Sequence, residues 1–209
     1  PAINGGAGVH PGFLLHTRQI SDEFQVQGKA MDNRLDYVVG AYYLNQQDSV
    51  SSNLVSYTYG PTITAFPFTY TAQWTDKSIA AFAQASYKLT DKLSLTGGFR
   101  YTHDKTSIHQ LPGSLWLLFF PDNPHETTKK SKPSWTASAD YKITDELLVY
   151  AATRGSWRAG GFNYSVQPVN TTAADGGNLF RPETTEDVEV GFKYSGDSLG
   201  MPITWNADF

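Results

Sequence analysis

Between Glu23 and Ala30 the residues Phe24, Val26, Gly28 and Ala30 alternate with Glu23, Gln25, Gln27 and Lys29. Side chains of a β-strand point alternately to its two sides, so this period of two predicts a strand with one apolar or small face and one wet face. After Met31-Asp32-Asn33-Arg34, whose Asp-Asn pair suits a tight turn, Leu35, Tyr37, Val39, Ala41 and Tyr43 alternate with Asp36, Val38, Gly40 and Tyr42. The two segments predict a hairpin. The same pattern predicts a second hairpin from Ile79 to Thr102, turning at Thr90-Asp91-Lys92, and a third from Trp135 to Arg154, turning at Thr144-Asp145-Glu146. Val188 to Tyr194 and Ile203 to Phe209 bring the total to about eight strands of an all-β, antiparallel fold.

Two hairpins share a local sequence. Tyr87-Lys88-Leu89-Thr90-Asp91 recurs as Tyr141-Lys142-Ile143-Thr144-Asp145, and the same offset carries Arg100 onto Arg154. A basic residue is therefore expected on the polar face of each ascending strand, in equivalent register.

The connections carry further information. Those after Ala30, Leu89, Ile143 and Tyr194 are short; those after Asn45, Lys105 and Arg154 are long and read as loops over 48–77, 106–133 and 155–181. Strict alternation puts every long connection at one end of the sheet, as in an outer-membrane barrel with short periplasmic turns and long extracellular loops. Structureless connections of that length also count against an ordinary compact domain. Strands can cross a bilayer only in a closed barrel that satisfies every backbone group, so the apolar face would meet lipid. The polar face would line a watery lumen where Glu23, Lys29, Arg100, Asp140, Arg154, Glu189 and Lys193 stay solvated. Tyr37, Tyr87, Tyr141 and Tyr194, beside the short turns, would form the periplasmic aromatic girdle. Tyr43, Phe99, Tyr101 and Trp135 would form the outer one. A soluble, carbohydrate-binding β-sandwich filled by the same aromatics is the alternative architecture.

Composition narrows the function. Sixteen Lys and Arg against 20 Asp and Glu leave a net charge of -4, which points away from nucleic acid, and the absence of cysteine excludes disulfides and thiolate metal sites. The strongest apolar run, Leu115 to Phe120, is too short for a membrane helix. The histidines His10, His16, His103, His109 and His125 are scattered without the paired spacing of a zinc site. Gly5-Gly6-Ala7-Gly8 lacks the context of a phosphate loop. No nucleophile, base and orienting group stand together, so the reading includes no catalysis, no metal and no cofactor. The chain opens at Pro1 without a secretory signal and stops at Phe209 inside a strand pattern, so both ends read as cuts in a longer chain.

The segment Arg154-Gly155-Ser156-Trp157-Arg158-Ala159-Gly160-Gly161-Phe162-Asn163 resembles the R-G-x-x-x-G-G-F-N stretch that ends a barrel strand in TonB-dependent receptors. Pro182-Glu183 and Glu189-Val190-Gly191-Phe192-Lys193 follow in the order and spacing of that family's P-E-x5-E-x-G-x-K segment. Leu93 to Asp104 is similar to its L-x-G-x-R-Y strand, and Leu35 to Tyr43 to its L-D-Y/W-V-x-G-x-Y-Y strand. The similarity spans roughly residues 24–209. It implies about eight strands of a monomeric 22-stranded barrel, with residues 1–209 lacking the plug domain, the TonB box and the C-terminal strand. It also implies residence in the outer-membrane lipid, coupling to the TonB complex through the missing N-terminal region, and import of a scarce ligand such as a ferric siderophore. An unplugged channel or structural barrel is the competing function. Ligand contacts are expected from lumen-facing residues near the outer rim and from the loops, with Arg100, Tyr150, Arg154, Trp157, Arg158, Trp116 and Tyr164 as candidates.

Overall fold

Period-two alternation over successive segments, joined by turns rich in Asp, Asn and Thr, leaves backbone groups to be satisfied only by neighbouring strands, and the chain forms one meandering sheet. The computed structural model describes residues 13–58, 64–114, 125–162, 179–198 and 201–209. Its strands are β1 (Phe13–Ala30), β2 (Leu35–Thr58), β3 (Thr64–Lys88), β4 (Leu93–Gln110), β5 (His125–Lys142), β6 (Leu147–Arg158), β7 (Gly161–Phe162), β8 (Leu179–Phe180), β9 (Glu183–Ser198) and β10 (Met201–Asp208). Eight of them build an antiparallel sheet in the order β1-β2-β3-β4-β5-β6-β9-β10, while β7 and β8 pair separately. The eight-stranded sheet does not close on itself; β1 and β10 are its edges.

The expected hairpins and their faces are present. Phe24 stands opposite Ala41, Ala83 opposite Phe99 and Ala139 opposite Ala151, so the apolar set stays on one side across the sheet. That side is uncovered: Phe24, Val39, Ile79, Phe99, Tyr101, Trp135 and Val190 are all exposed. An apolar band of this extent on one face is what a strand wall offers to lipid.

The turns at Thr90 and Thr144 have the same construction. Leu89 and Thr90 donate to the Leu93 carbonyl at 2.9 and 3.2 Å, and Ile143 and Thr144 donate to Leu147 at the same two distances. The Thr90 hydroxyl accepts from the amides of Lys92 and Leu93, as the Thr144 hydroxyl does from Glu146 and Leu147. The repeat is thus a structural equivalence. The first turn solves the same problem differently, with Met31, Asp32 and Asn33 all at φ between 53° and 64°. Asp and Asn tolerate this left-handed region, whereas Met31 occupies it at a cost of about 1 kcal/mol.

The strands outrun their sequence prediction at one end. β2 continues to Thr58, β3 starts at Thr64, β4 reaches Gln110 and β5 begins at His125, so much of what reads as loop over 48–77 and 106–133 is paired strand. β1 likewise begins at Phe13, well before Phe24. Beyond the apolar band both faces meet water, so stretches such as Asn45-Gln46-Gln47-Asp48 lose the contrast between faces while keeping the ladder. The third long connection, 155–181, also contains structure: β6 runs to Arg158, and β7 and β8 form a small hairpin. Phe162 of β7 packs with Ala72 and Ile108 against Trp74 and Leu179, and this is the buried cluster of the described residues. A Cβ on Gly160 would run into the Phe180 carbonyl oxygen, which explains a glycine just before β7. Leu115 to Phe120, His10 and the glycine stretch 5–8 lie outside the described residues.

Candidate lumenal site

The polar face of the sheet carries two arginine-centred clusters at equivalent heights. In the first, β4 places Arg100 between Phe82 of β3 and Ser134 of β5. Its guanidinium carbon lies 5.1 Å from the Tyr42 ring centre and 5.7 Å from that of Phe82, within cation–π range of both rings. Its Nε donates to the Thr102 hydroxyl at 3.1 Å. No carboxylate among the described residues forms an ion pair with Arg100.

In the second cluster, β6 places Arg154 between Thr136 of β5 and Asp187 of β9. Its Nε donates to both Asp187 carboxylate oxygens, at 2.9 and 3.3 Å, and its Nη2 donates to Glu189. Tyr150 gives its hydroxyl proton to the other Glu189 oxygen at 2.7 Å, and Lys193 lies 5.2 Å from the Tyr150 ring centre. The Tyr150 ring lies over Gly191 on the neighbouring strand, where a Cβ would come within 2.7 Å of its hydroxyl oxygen. Further up β6, Arg158 pairs with Glu183 at 2.9 Å. A groove of about 460 Å³ runs between the two clusters and is bordered by Phe82, Gln84, Arg100, Thr136, Arg154 and Asp187.

A second hollow, of about 500 Å³, opens above the apolar band where β7 and β8 fold back, bordered by Trp74, Asp76, Asp104, Arg158, Phe162 and Phe180. Asp76 accepts from the Thr106 hydroxyl at 2.6 Å. Burial pushes the Asp76 carboxyl above the ordinary carboxylate range; the Thr106 bond opposes this, and Asp48 and Asp104 add to it.

Arg100, Tyr150, Arg154 and Arg158 therefore share one face, as their positions in the alternation require. Trp157 belongs to the opposite register of β6, and its indole N–H donates to the Lys132 carbonyl at 3.2 Å while the residue borders the upper hollow. Trp116 and Tyr164 lie outside the described residues. Asp187 and Glu189 as joint partners of Arg154, and the Phe162 anchor, are additions from the structure. The pairing depends on which strand lies beside β6, and that strand follows β6 only after residues 159–182.

A sheet with one exposed apolar face, one charged face, and tight turns at a single end defines the wall of an outer-membrane β-barrel. Residues 4–209 match the family model "TonB dependent receptor-like, beta-barrel", and the chain belongs to that family. It is 27% identical over 162 residues to a pesticin receptor of Yersinia enterocolitica, and 28% identical over 160 residues to one of Yersinia pestis. Each match covers 77% of this chain and 22% of the relative, so the chain spans about a fifth of the length of these receptors. Among solved structures it resembles the ferric yersiniabactin uptake receptor FyuA from Yersinia pestis, with a TM-score of 0.68 and 22% identity over 94% of this chain and 28% of that one. The ferric-catecholate import receptor Fiu from K12 E. coli follows the same fold, with a TM-score of 0.61 and 14% identity over 86% of this chain and 29% of that one. The polar face is accordingly the lumenal one, and the family consists of receptors and transporters, not enzymes.

Proposed function

We propose that this chain forms part of the wall of a receptor that takes up a ferric siderophore through the outer membrane, driven by the TonB complex, and that Arg100 is a wall contact for the anionic ligand. The observation that carries the reading is the contrast in neutralisation. Arg154 is held by two carboxylates, whereas Arg100 rests on two aromatic rings and one hydroxyl, with N–H donors left for another partner. Guanidinium pairs with carboxylate, catecholate or hydroxamate oxygens, and nearby rings suit the flat, apolar parts of such molecules. Tyr150, Arg154 and Arg158 act on this reading as a preorganised charged wall, and Trp157 as a strut that fixes the upper end of β6. The names of relatives that import ferric siderophores support the same ligand class.

The test is growth and radioactive iron uptake in an iron-starved strain stripped of its own siderophore receptors and carrying the full-length receptor. Uptake of a ferric siderophore that requires TonB is the expected result. Uptake that persists without TonB would indicate a passive channel and contradict the proposal.

A further inference from the structure

The histidines are scattered in sequence, but the register of β4 and β5 sets two of them face to face. His109 stands directly opposite His125. Their rings meet edge to face, with centres 5.8 Å apart and planes at 80°. Both residues are exposed, and both occupy the outward register, since Tyr101 of β4 and Trp135 of β5 belong to the same alternation.

The separation suits a shared metal ion. A divalent ion bonded to one nitrogen of each ring at ~2.0–2.1 Å, at a tetrahedral angle, sets the ring centres on the order of 5 Å apart. Small side-chain rotations therefore bring the pair into chelating geometry. Thr127 supplies an orienting contact: its hydroxyl lies 3.3 Å from His125 Nε2 and 3.0 Å from the Ser107 hydroxyl. With Nε2–H donating to Thr127, Nδ1 keeps its lone pair for a metal, and metal-bound histidines characteristically anchor their second nitrogen in this way. No third His, Cys, Asp or Glu completes a metal-binding group among the described residues, so water would fill the other positions and the ion would exchange with solution.

Height makes the pair reachable. His109 lies eight positions beyond Tyr101 of the outer aromatic girdle. At ~3.3 Å per residue and a strand tilt of ~40°, that is on the order of 20 Å outside the ring, in water rather than lipid. Lys105 and Lys129 share this face four positions along their strands, on the order of 13 Å away. That exceeds the ~8 Å screening length of physiological salt, so their charge repels an ion here only weakly.

We propose that His109 and His125 form an exchangeable site for a divalent transition-metal ion on the outer surface, of the class that imidazole prefers: Cu²⁺, Ni²⁺ or Zn²⁺. The ion clips β4 to β5 at the two ends of the connection 110–124. The site does not depend on which ligand the lumen carries.

The probe is Cu²⁺ alone, added in less than equimolar amount to the purified full-length receptor in detergent, free of any histidine tag, and read by electron paramagnetic resonance; Zn²⁺ calorimetry gives the affinity. The wild type is expected to show a copper signal split by two imidazole nitrogens and to melt at a higher temperature with Zn²⁺ than without. His109→Gln and His125→Gln should each weaken Zn²⁺ binding at least roughly tenfold, the smallest loss expected when a partner of a bound metal is removed, and should abolish the melting shift while leaving the metal-free melting temperature unchanged. His103→Gln, also on the outward face of β4, should bind as the wild type does. Copper signals and Zn²⁺ affinities that match between the wild type and the combined His109→Gln, His125→Gln variant would reduce the pair to a packing contact and overturn the proposal. Equal weakening by His103→Gln would also overturn it, by assigning the binding to surface histidines in general.

Discussion

Arg100 and Arg154 occupy the same place in two copies of one hairpin plan, and their surroundings make them different instruments. Both follow an equivalent threonine turn and both stand on the lumenal face of an ascending strand, but Arg100 rests on the Tyr42 ring whereas Arg154 shares Glu189 with Tyr150. On β4 the flanking strands bring Phe82 and Ser134; on β6 they bring Thr136 and Asp187. The repeat therefore sets where a cation stands, and the neighbouring strands set whether it is spent on the wall or left for a guest. Arg154 ties β6 to β9, and Arg100 is available.

The largest expected effect comes from removing the available cation. Arg100→Gln should weaken binding of the ferric ligand roughly 10- to 100-fold, the equivalent of one charge-assisted hydrogen bond of about 1.5–3 kcal/mol, with little change in thermal unfolding. Titration with the ligand and a melting curve in detergent measure the two quantities together. Arg154→Gln should do the reverse, lowering the melting temperature slightly because Asp187 and Glu189, side by side on one face of β9, lose the cation they share, with a smaller effect on affinity.

A sharper way to break the contrast is to free the second arginine. Asp187→Asn combined with Glu189→Gln removes both carboxylates while keeping hydrogen-bond acceptors, and should raise affinity for an anionic ligand by up to roughly tenfold. Unchanged affinity would show that carboxylate pairing is not what distinguishes the two sites.

The placement of both arginines on one face could be anticipated from the sequence, whereas the contrast between them could not, for a physical reason. Within the apolar band, one face must be greasy and the other wet, so alternation alone places Arg100, Tyr150, Arg154 and Arg158 on one side. The ordered segments around Arg154 and Glu183 identify the family. Above the band that constraint lapses, so residues 48–58 and 106–110 read as loop although they continue β2 and β4. The partners of Arg154 come from a strand beyond a long connection, and the Phe162 anchor from a hairpin of two-residue strands, neither of which leaves a periodic trace.

Smaller effects test the equivalence of the two copies. Thr90→Ala and Thr144→Ala each remove a hydroxyl that accepts two backbone amides, and each should cost about 1 kcal/mol in urea unfolding. A marked difference would show that the turns are not interchangeable.

The smallest expected effect lies above both clusters, at Asp76. Its carboxyl titrates near 3.8 in the unfolded chain and higher in the folded one, so the folded state holds more protons in that interval and loses stability as pH rises through it. Asp76→Asn keeps an acceptor for Thr106 and should give a small gain in stability at pH 7 that disappears below about pH 3. A gain that persists at low pH would point to a cause other than ionisation.

Both arginines must face water inside the barrel while their chain neighbours face lipid. Residues 1–209 contain no cysteine, so in a receptor whose remaining sequence is also kept free of cysteine, single replacements at Phe99, Arg100, Thr153 and Arg154 report on one position each. In the full-length receptor in outer membranes, a water-soluble thiol reagent should label Arg100→Cys and Arg154→Cys, and a lipid-borne quencher should reach a fluorophore at Phe99→Cys and Thr153→Cys. Equal aqueous labelling at all four positions, or the opposite pattern, would contradict the lumenal placement.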